Sequence, residues 1–283
     1  MARPLTWLDV FTDRPLTGNG LAVVHDADGV ADETMLGFAR ETRLSETTFV
    51  QSATEVRADY RNRIWMTVGE LDFAGHPSLG TAVAVAHVRG EREARYVQQT
   101  PAGLQPIEVE LGEAVARASM LQEPAEFGDE VEPARALGSL GLAEGDGHPD
   151  LPPQVVSTGI AHLMIPVRAA DALDRVAPDV ASVRELLGAV RCTCAYLAFC
   201  EPGREAARAR SFFAETAGLA EDPATGSAAG PLMAYLHART GAGRLTIEQG
   251  VEMGRASRLR CVAGERVRVA GDAVVVLEGA VAL

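Results

Sequence analysis

The sequence predicts an α+β protein of two similar domains, each a set of short antiparallel strands around one central helix. Three observations predict it: a repeated helix-opening motif, a succession of short strand signals in each half, and a composition suited to a core of small aliphatic residues. The second copy of the motif is Glu221-Asp222-Pro223-Ala224-Thr225-Gly226-Ser227-Ala228-Ala229, running into Leu232, Met233, Tyr235 and Leu236. Pro at an opening position costs no hydrogen bond, Asp and Thr are capping residues, and Gly226 with the alanines allows close approach. The first copy, Gly75-His76-Pro77-Ser78-Leu79-Gly80-Thr81-Ala82, has the same x-Pro-x-x-Gly-[Ser/Thr]-Ala frame and leads into Val83, Val85 and Val88. In this frame His76 stands where Asp222 stands.

The repeat extends upstream. Arg63-Ile64-Trp65-Met66 precedes one copy at nearly the distance that Arg210-Ser211-Phe212-Phe213 precedes the other, and Thr17-Gly18-Asn19 is echoed by Thr158-Gly159. Matched pairs in the same order indicate two halves of one architecture. The division expected is an N-terminal domain over residues 1–120, to which the last strand, 272–283, can be joined, and a C-terminal domain over 121–271. The Pro-, Gly- and acid-rich stretch 123–153 reads as the passage between them.

The 283 residues are 47% apolar with 5% aromatics, a globular composition, and the net charge is −13 from 26 basic and 39 acidic residues. The arginines are scattered without a run or stripe, which disfavours nucleic acid and anionic membrane as partners. The N-terminus turns polar too soon for a signal peptide and no apolar run reaches membrane-spanning length, so a cytoplasmic location is expected. Four cysteines are few. Cys192 and Cys194 share one face of a β-like stretch with Cys200 beyond, but no second ligand cluster accompanies them, and buried free thiols are expected rather than a metal site.

In order, strands are expected at 8–11 and 21–24, a helix capped by Asp32 to about Thr42, and strands at 44–50, 56–60 and 64–67, before the His76 helix. Strands at 94–99 and 107–111 follow, then a short helix near 134–140. The second half repeats the plan: strands at 154–156 and 162–167, a helix at 180–187, strands at 194–200 and 210–213, the Asp222 helix, and strands at 245–249, 257–262, 267–269 and 274–277.

Five stretches together resemble the PhzF-like (phenazine biosynthesis) isomerase family: Ser45-Glu46-Thr47-Thr48-Phe49, Phe73 to Gly80, Ser157-Thr158-Gly159 with His162-Leu163, Glu221 to Ala229, and Glu248-Gln249-Gly250 with Met253-Gly254-Arg255. The resemblance covers nearly the whole chain. It implies the diaminopimelate epimerase-like fold, two similar domains that each wrap a β-barrel-like sheet around a central helix, with an active-site cleft between them onto which both helix starts face, a homodimer, and no cofactor. It also implies a double-bond shift in a small unsaturated cyclic amino or carboxylic acid, of the phenazine or modified-proline kind. In that resemblance Glu46 matches the glutamate that moves the proton. Such work needs a carboxyl group whose pKa is raised toward neutrality in a poorly hydrated site, and the apolar neighbours Leu44 and Phe49 are compatible with that.

His76 and Asp222 match the family's other polar site residues. His76 is expected to hydrogen-bond the substrate or hold the proton-transfer geometry, and Asp222 to bind an amino group or orient His76. Outside the resemblance the same residues read as a solvated Glu, a capping His and a plain N-cap. Ser227, with the backbone at Gly75 and Gly226, is a candidate for the substrate carboxylate, because unpaired N–H groups and the helix dipole both favour an anion there. Ser78 is grouped with them as substrate-binding. No cysteine lies near either helix start, which excludes the two-thiol chemistry of the fold's racemases.

Three positions depart from the family pattern: Gly20, Asp72 and Ala256 each stand where proline is usual. Asp72 either raises the pKa of His76 or points to solvent, and solvent is favoured. A catalytically idle relative that binds a small molecule or protein is the alternative reading.

Overall fold

The computed structural model describes residues 2–201, 204–215 and 218–283. The chain divides into two compact units, one formed by Met1–Leu121 with Ala270–Leu283 and the other by Gln122–Val269.

The first unit contains β1 (Ala2–Val10), β2 (Asn19–Val24), α1 (Asp32–Thr42), β3 (Glu46–Gln51), β4 (Tyr60–Met66), β5 (Gly69–Leu71), α2 (Gly75–Arg89), β6 (Glu93–Thr100), β7 (Gly103–Leu111) and β8 (Ala116–Leu121). Neighbours pair from β1 to β2, β3, β4, β6, β7 and β8. The circle is closed by the strand that ends the chain, Arg268–Ala282, which pairs with both β8 and β1. Two of the pairings, β2 with β3 and β4 with β6, are parallel. Closure leaves no exposed edge in this ring. Helix α2 is buried from Gly75 through Ala86 and touches seven of the ring's strands, so it is apolar on all sides rather than along one stripe. Gly80 sets the approach: a Cβ there would lie 2.6 Å from Leu21 and 2.7 Å from Val10.

The second unit contains β9 (Glu126–Glu130), α3 (Pro133–Gly138), β10 (Gln154–Ser157), β11 (Ala161–Val167), α4 (Asp171–Asp174), α5 (Val180–Val190), β12 (Cys194–Cys200), β13 (Ala206–Glu215), β14 (Gly218–Asp222), α6 (Gly226–Thr240), β15 (Arg244–Gln249) and β16 (Ser257–Val262). The closing strand of the first unit is then β17. Its pairings repeat the first unit's: β11 with β12 and β13 with β15 are the parallel steps, and β13 with β14 forms the hairpin that leads into α6. Arg63 and Glu70 join β4 to β5, as Arg210 and Glu221 join β13 to β14 through two contacts of 2.8 Å. Each guanidinium also lies over a ring two residues on, Trp65 or Phe212.

Several expectations are corrected. Helices α2 and α6 have 15 residues each, begin at Gly75 and Gly226, and end before left-handed Gly90 and Gly241. The counterpart of His76 is therefore Ser227. The Pro-containing frame in the sequence, which sets His76 against Asp222 instead of Ser227, is slipped by five residues, about one and a half helical turns. Asp222 ends β14 and does not open the helix. Gln249 on β15 holds the intervening backbone, donating to the Asp222 carbonyl at 2.7 Å and accepting from the Thr225 N–H at 3.2 Å, so the helix starts beyond it. Asp32 is not a cap; Ala31 is the N-cap, and the Asp32 carboxylate meets Arg63 at 3.0 Å. Residues 56–59 are not strand: the Ala58 N–H closes a turn on Glu55, and Val56 is fully exposed. The stretch 123–153 is no linker, since β9 pairs with β10 and α3 packs into the second unit's core. Cys192 precedes β12 rather than sharing its alternation with Cys194.

Candidate active site

In the first unit the site is built where α2 begins. Its first-turn amides have no partner within the helix, and Pro77 is tolerated there because it brings no N–H. His76 is 4% exposed and lies between two strands of the ring. Asn19, the first residue of β2, donates from Nδ2 to His76 Nδ1 at 3.2 Å. Because that nitrogen accepts, the imidazole proton sits on Nε2, which faces Glu46 Oε2 at 3.4 Å. Glu46 is the first residue of β3, and its side chain is 14% exposed. Burial pushes the His76 pKa down to about 3, so the ring is neutral at neutral pH. Asp72 is exposed and is not among the causes of that shift.

Gly75 is buried at the head of the same helix. Ser78 is placed elsewhere: it is wholly buried, donates to the Ala74 carbonyl at 2.7 Å and accepts from Gln98 Nε2 at 2.6 Å. That corrects its assignment to substrate binding, because both hydroxyl roles are taken up inside the ring.

In the second unit the corresponding helix start carries Gly226 and Ser227. Gln122 donates to the Gly226 carbonyl at 2.9 Å and accepts from Thr158 at 2.5 Å. Ser227 Oγ is 3.2 Å from His162 Nε2, and His162 Nδ1 is 3.1 Å from the Cys194 sulfur. Burial brings His162 to about 3 as well. Asp222 accepts from the Thr225 hydroxyl at 2.6 Å, and Tyr196 donates to Gln249 at 2.9 Å, steadying the amide that holds this segment. Each unit thus places a neutral imidazole against the head of its central helix. In the first unit that imidazole belongs to the helix itself, and in the second it comes from β11.

Asn19, Gln122, His162 and Gln249 are positions whose roles sequence reasoning did not assign. Asn19, His162 and Gln249 stood inside motifs given above, next to strand ends that lead to the site, and that placement was the available signal. All four thiols are free. Burial raises their pKa values, that of Cys192 to about 11 and those of Cys200 and Cys261 to about 12. Among the described residues, no group of three or more His, Cys, Asp or Glu side chains could hold a metal ion. Among the described residues, no helix is long and apolar enough to cross a membrane.

The architecture is that of the epimerase-like class. It matches a hydroxyproline epimerase from Agrobacterium vitis with a TM-score of 0.63 over 99% of this chain and 91% of that one, a likeness of fold alone at 14% identity. Within that class the chain belongs to the phenazine biosynthesis-like protein family, whose model matches residues 8–279, and it is an isomerase. A trans-2,3-dihydro-3-hydroxyanthranilate isomerase from Pseudomonas aeruginosa is 36% identical over 96% of each chain. A PhzF-family phenazine biosynthesis protein from Bacillus anthracis matches over all of both chains with a TM-score of 0.87 and 29% identity.

Proposed function

We propose that this isomerase shifts a double bond in a small unsaturated cyclic amino or carboxylic acid by moving one proton with Glu46. The Glu46 carboxylate takes a proton from one substrate carbon and the resulting acid returns a proton to another. Electrons and atoms balance within the substrate, and no redox partner is required. His76, itself uncharged, presents its Nε2–H beside Glu46 Oε2 without neutralising the carboxylate. The substrate carboxylate is received by Ser227 and by amides at the helix starts, Gly75 and Gly226, where the dipole favours an anion. Asp222 takes the substrate's amino group.

The observation that carries this reading is the 3.4 Å approach of a neutral, buried His76 to Glu46, with Asn19 fixing the ring's tautomer from the other side. The sequence likeness to the Pseudomonas isomerase supports a place in secondary metabolism, of the phenazine or modified-proline kind. We further place the protein in the cytoplasm as a homodimer; light scattering on the purified protein tests the dimer.

The test of the chemistry is proton NMR in D₂O with trans-2,3-dihydro-3-hydroxyanthranilate and unsaturated pyrroline carboxylates. Conversion with deuterium entering a substrate carbon is expected, and Glu46→Gln should abolish both while the circular dichroism stays unchanged. Deuterium exchange retained by that variant would remove Glu46 from the reaction.

A further inference from the structure

The second unit holds a chain of polar side chains that the proposed chemistry does not use. His162 is wholly buried on β11, with one ring nitrogen 3.2 Å from Ser227 Oγ and the other 3.1 Å from the sulfur of Cys194, the first residue of β12. Three polar groups in line, two of them wholly buried, leave few ways to arrange their protons.

Two tautomers of a neutral His162 are conceivable. With the proton on Nδ1, the ring donates to sulfur, Nε2 accepts the Ser227 O–H, and the hydroxyl presents lone pairs outward. That arrangement sets electron pairs against an anion. With the proton on Nε2, the ring donates to Ser227 Oγ, and the serine's own O–H is released to donate outward. The thiol decides between them. Burial keeps Cys194 protonated at neutral pH, so its S–H needs an acceptor, and Nδ1 is the ring nitrogen beside it.

We propose that His162 is a positioning residue: it donates from Nε2 to Ser227 Oγ and turns the serine O–H toward the substrate carboxylate, while the Cys194 S–H, donating to Nδ1, selects that tautomer. The proton chain runs one way, from Cys194 through His162 to Ser227. The proposal rests on the reading of Ser227 as the carboxylate contact, and it adds why a hydroxyl at that position acts as a donor. The pseudo-repeat gives it a second meaning: β12 begins with a thiol where β3 begins with the Glu46 carboxylate, so the second unit is equipped to bind an anion and the first to move a proton.

The test has a ligand-free arm and a binding arm. Long-range ¹H–¹⁵N spectra of the labelled protein near neutral pH read each imidazole's tautomer, with His162 identified by the signal lost in His162→Gln. The Nε2–H form is expected in the wild type and in Cys194→Ser, whose hydroxyl still donates, and loss of that pure form is expected in Cys194→Ala. A wild-type His162 protonated on Nδ1, or Cys194→Ala unchanged, overturns the proposal. In the binding arm, the probes are anthranilate and its carboxamide, anthranilamide. Wild type should prefer the carboxylate by about tenfold, one charge-assisted hydrogen bond's worth, and Ser227→Ala and His162→Gln should both lose the preference. If Ser227→Ala keeps it, or wild type has none, the carboxylate reading of Ser227 fails. If Ser227→Ala loses it and His162→Gln keeps it, the relay alone fails. Should His162→Gln not fold, the two Cys194 variants carry both arms.

Discussion

Lowering the pH should unfold this protein through two histidines well before its carboxylates matter. His76 and His162 are both held to about 3 by burial, against 6.5 for an imidazole in water. A group whose folded-state pKa is lowered contributes stability that is complete above its unfolded value and is lost as the pH falls from there toward the folded value. The window is therefore from about pH 6.5 down toward 3, because in that range the unfolded chain takes up protons that the native state refuses. Between about pH 7.5 and pH 5 the linkage amounts to about 2 kcal/mol per imidazole, and about 4 kcal/mol for the pair. His25 is shifted in the same direction and adds to it. Asp28, Asp146 and Asp179, whose pKa values are lowered, act below about pH 4, so the higher window isolates the imidazoles. Urea unfolding at the two pH values measures the loss directly. The double variant His76→Gln, His162→Gln should be less stable at pH 7.5 but should lose much less on acidification. If it loses as much as the wild type, or if either imidazole titrates near pH 6 in the folded protein, the burial argument is wrong.

Breaking the Arg210–Glu221 pair by Glu221→Ala should cost roughly 3 kcal/mol, because it strands a largely buried guanidinium, whereas replacing both residues with apolar ones should recover most of it; thermal unfolding of the single and double variants reads this. Gly80→Ala should destabilise by about 1–3 kcal/mol, since the new methyl meets Leu21 and Val10. Gly37→Ala, within α1 and facing open space, should instead stabilise by roughly 0.8 kcal/mol; parallel urea titrations decide both signs. Cys194 and Cys261 should resist a thiol reagent near pH 8 in the native protein and react at once when it is unfolded, which a colorimetric time course shows.

The two-half architecture was legible because each half restates the same strand and helix signals, and Arg63 with Arg210 marks equivalent hairpins. What failed was the alignment at the helix starts. Proline, glycine and a small hydroxyl residue recur in both copies, yet the helix begins where the backbone is released, and in the second copy Gln249 keeps residues 222–225 tied to β15. A residue distant in sequence thus set a boundary that local propensity could not. The short strands β5 and β14 were missed for a related reason, being held by an arginine–glutamate pair rather than by apolar alternation. At the site, Glu46 and His76 are singled out by resemblance alone, and their 3.4 Å approach is a product of the parallel pairing of β2 with β3, which brings Asn19 and Glu46 to one end of the ring. Ser78 misled because a serine in a helix's first turn looks like a ligand contact until its partners are seen.

The ring of the first unit is completed by β17, whose Ala282 stands opposite Ala2 and whose Ala273 stands opposite Val10. On the ribosome this reverses the usual order of maturation, in which the N-terminal unit folds first. Residues 122–269 are contiguous and emerge before the last strand, so the second unit can mature while the first still has a gap between β8 and β1. A chain stalled before residue 270 would carry two unsatisfied strand edges and a helix, α2, built to be enclosed. Such a nascent chain is the form of this protein most exposed to chaperone capture and aggregation.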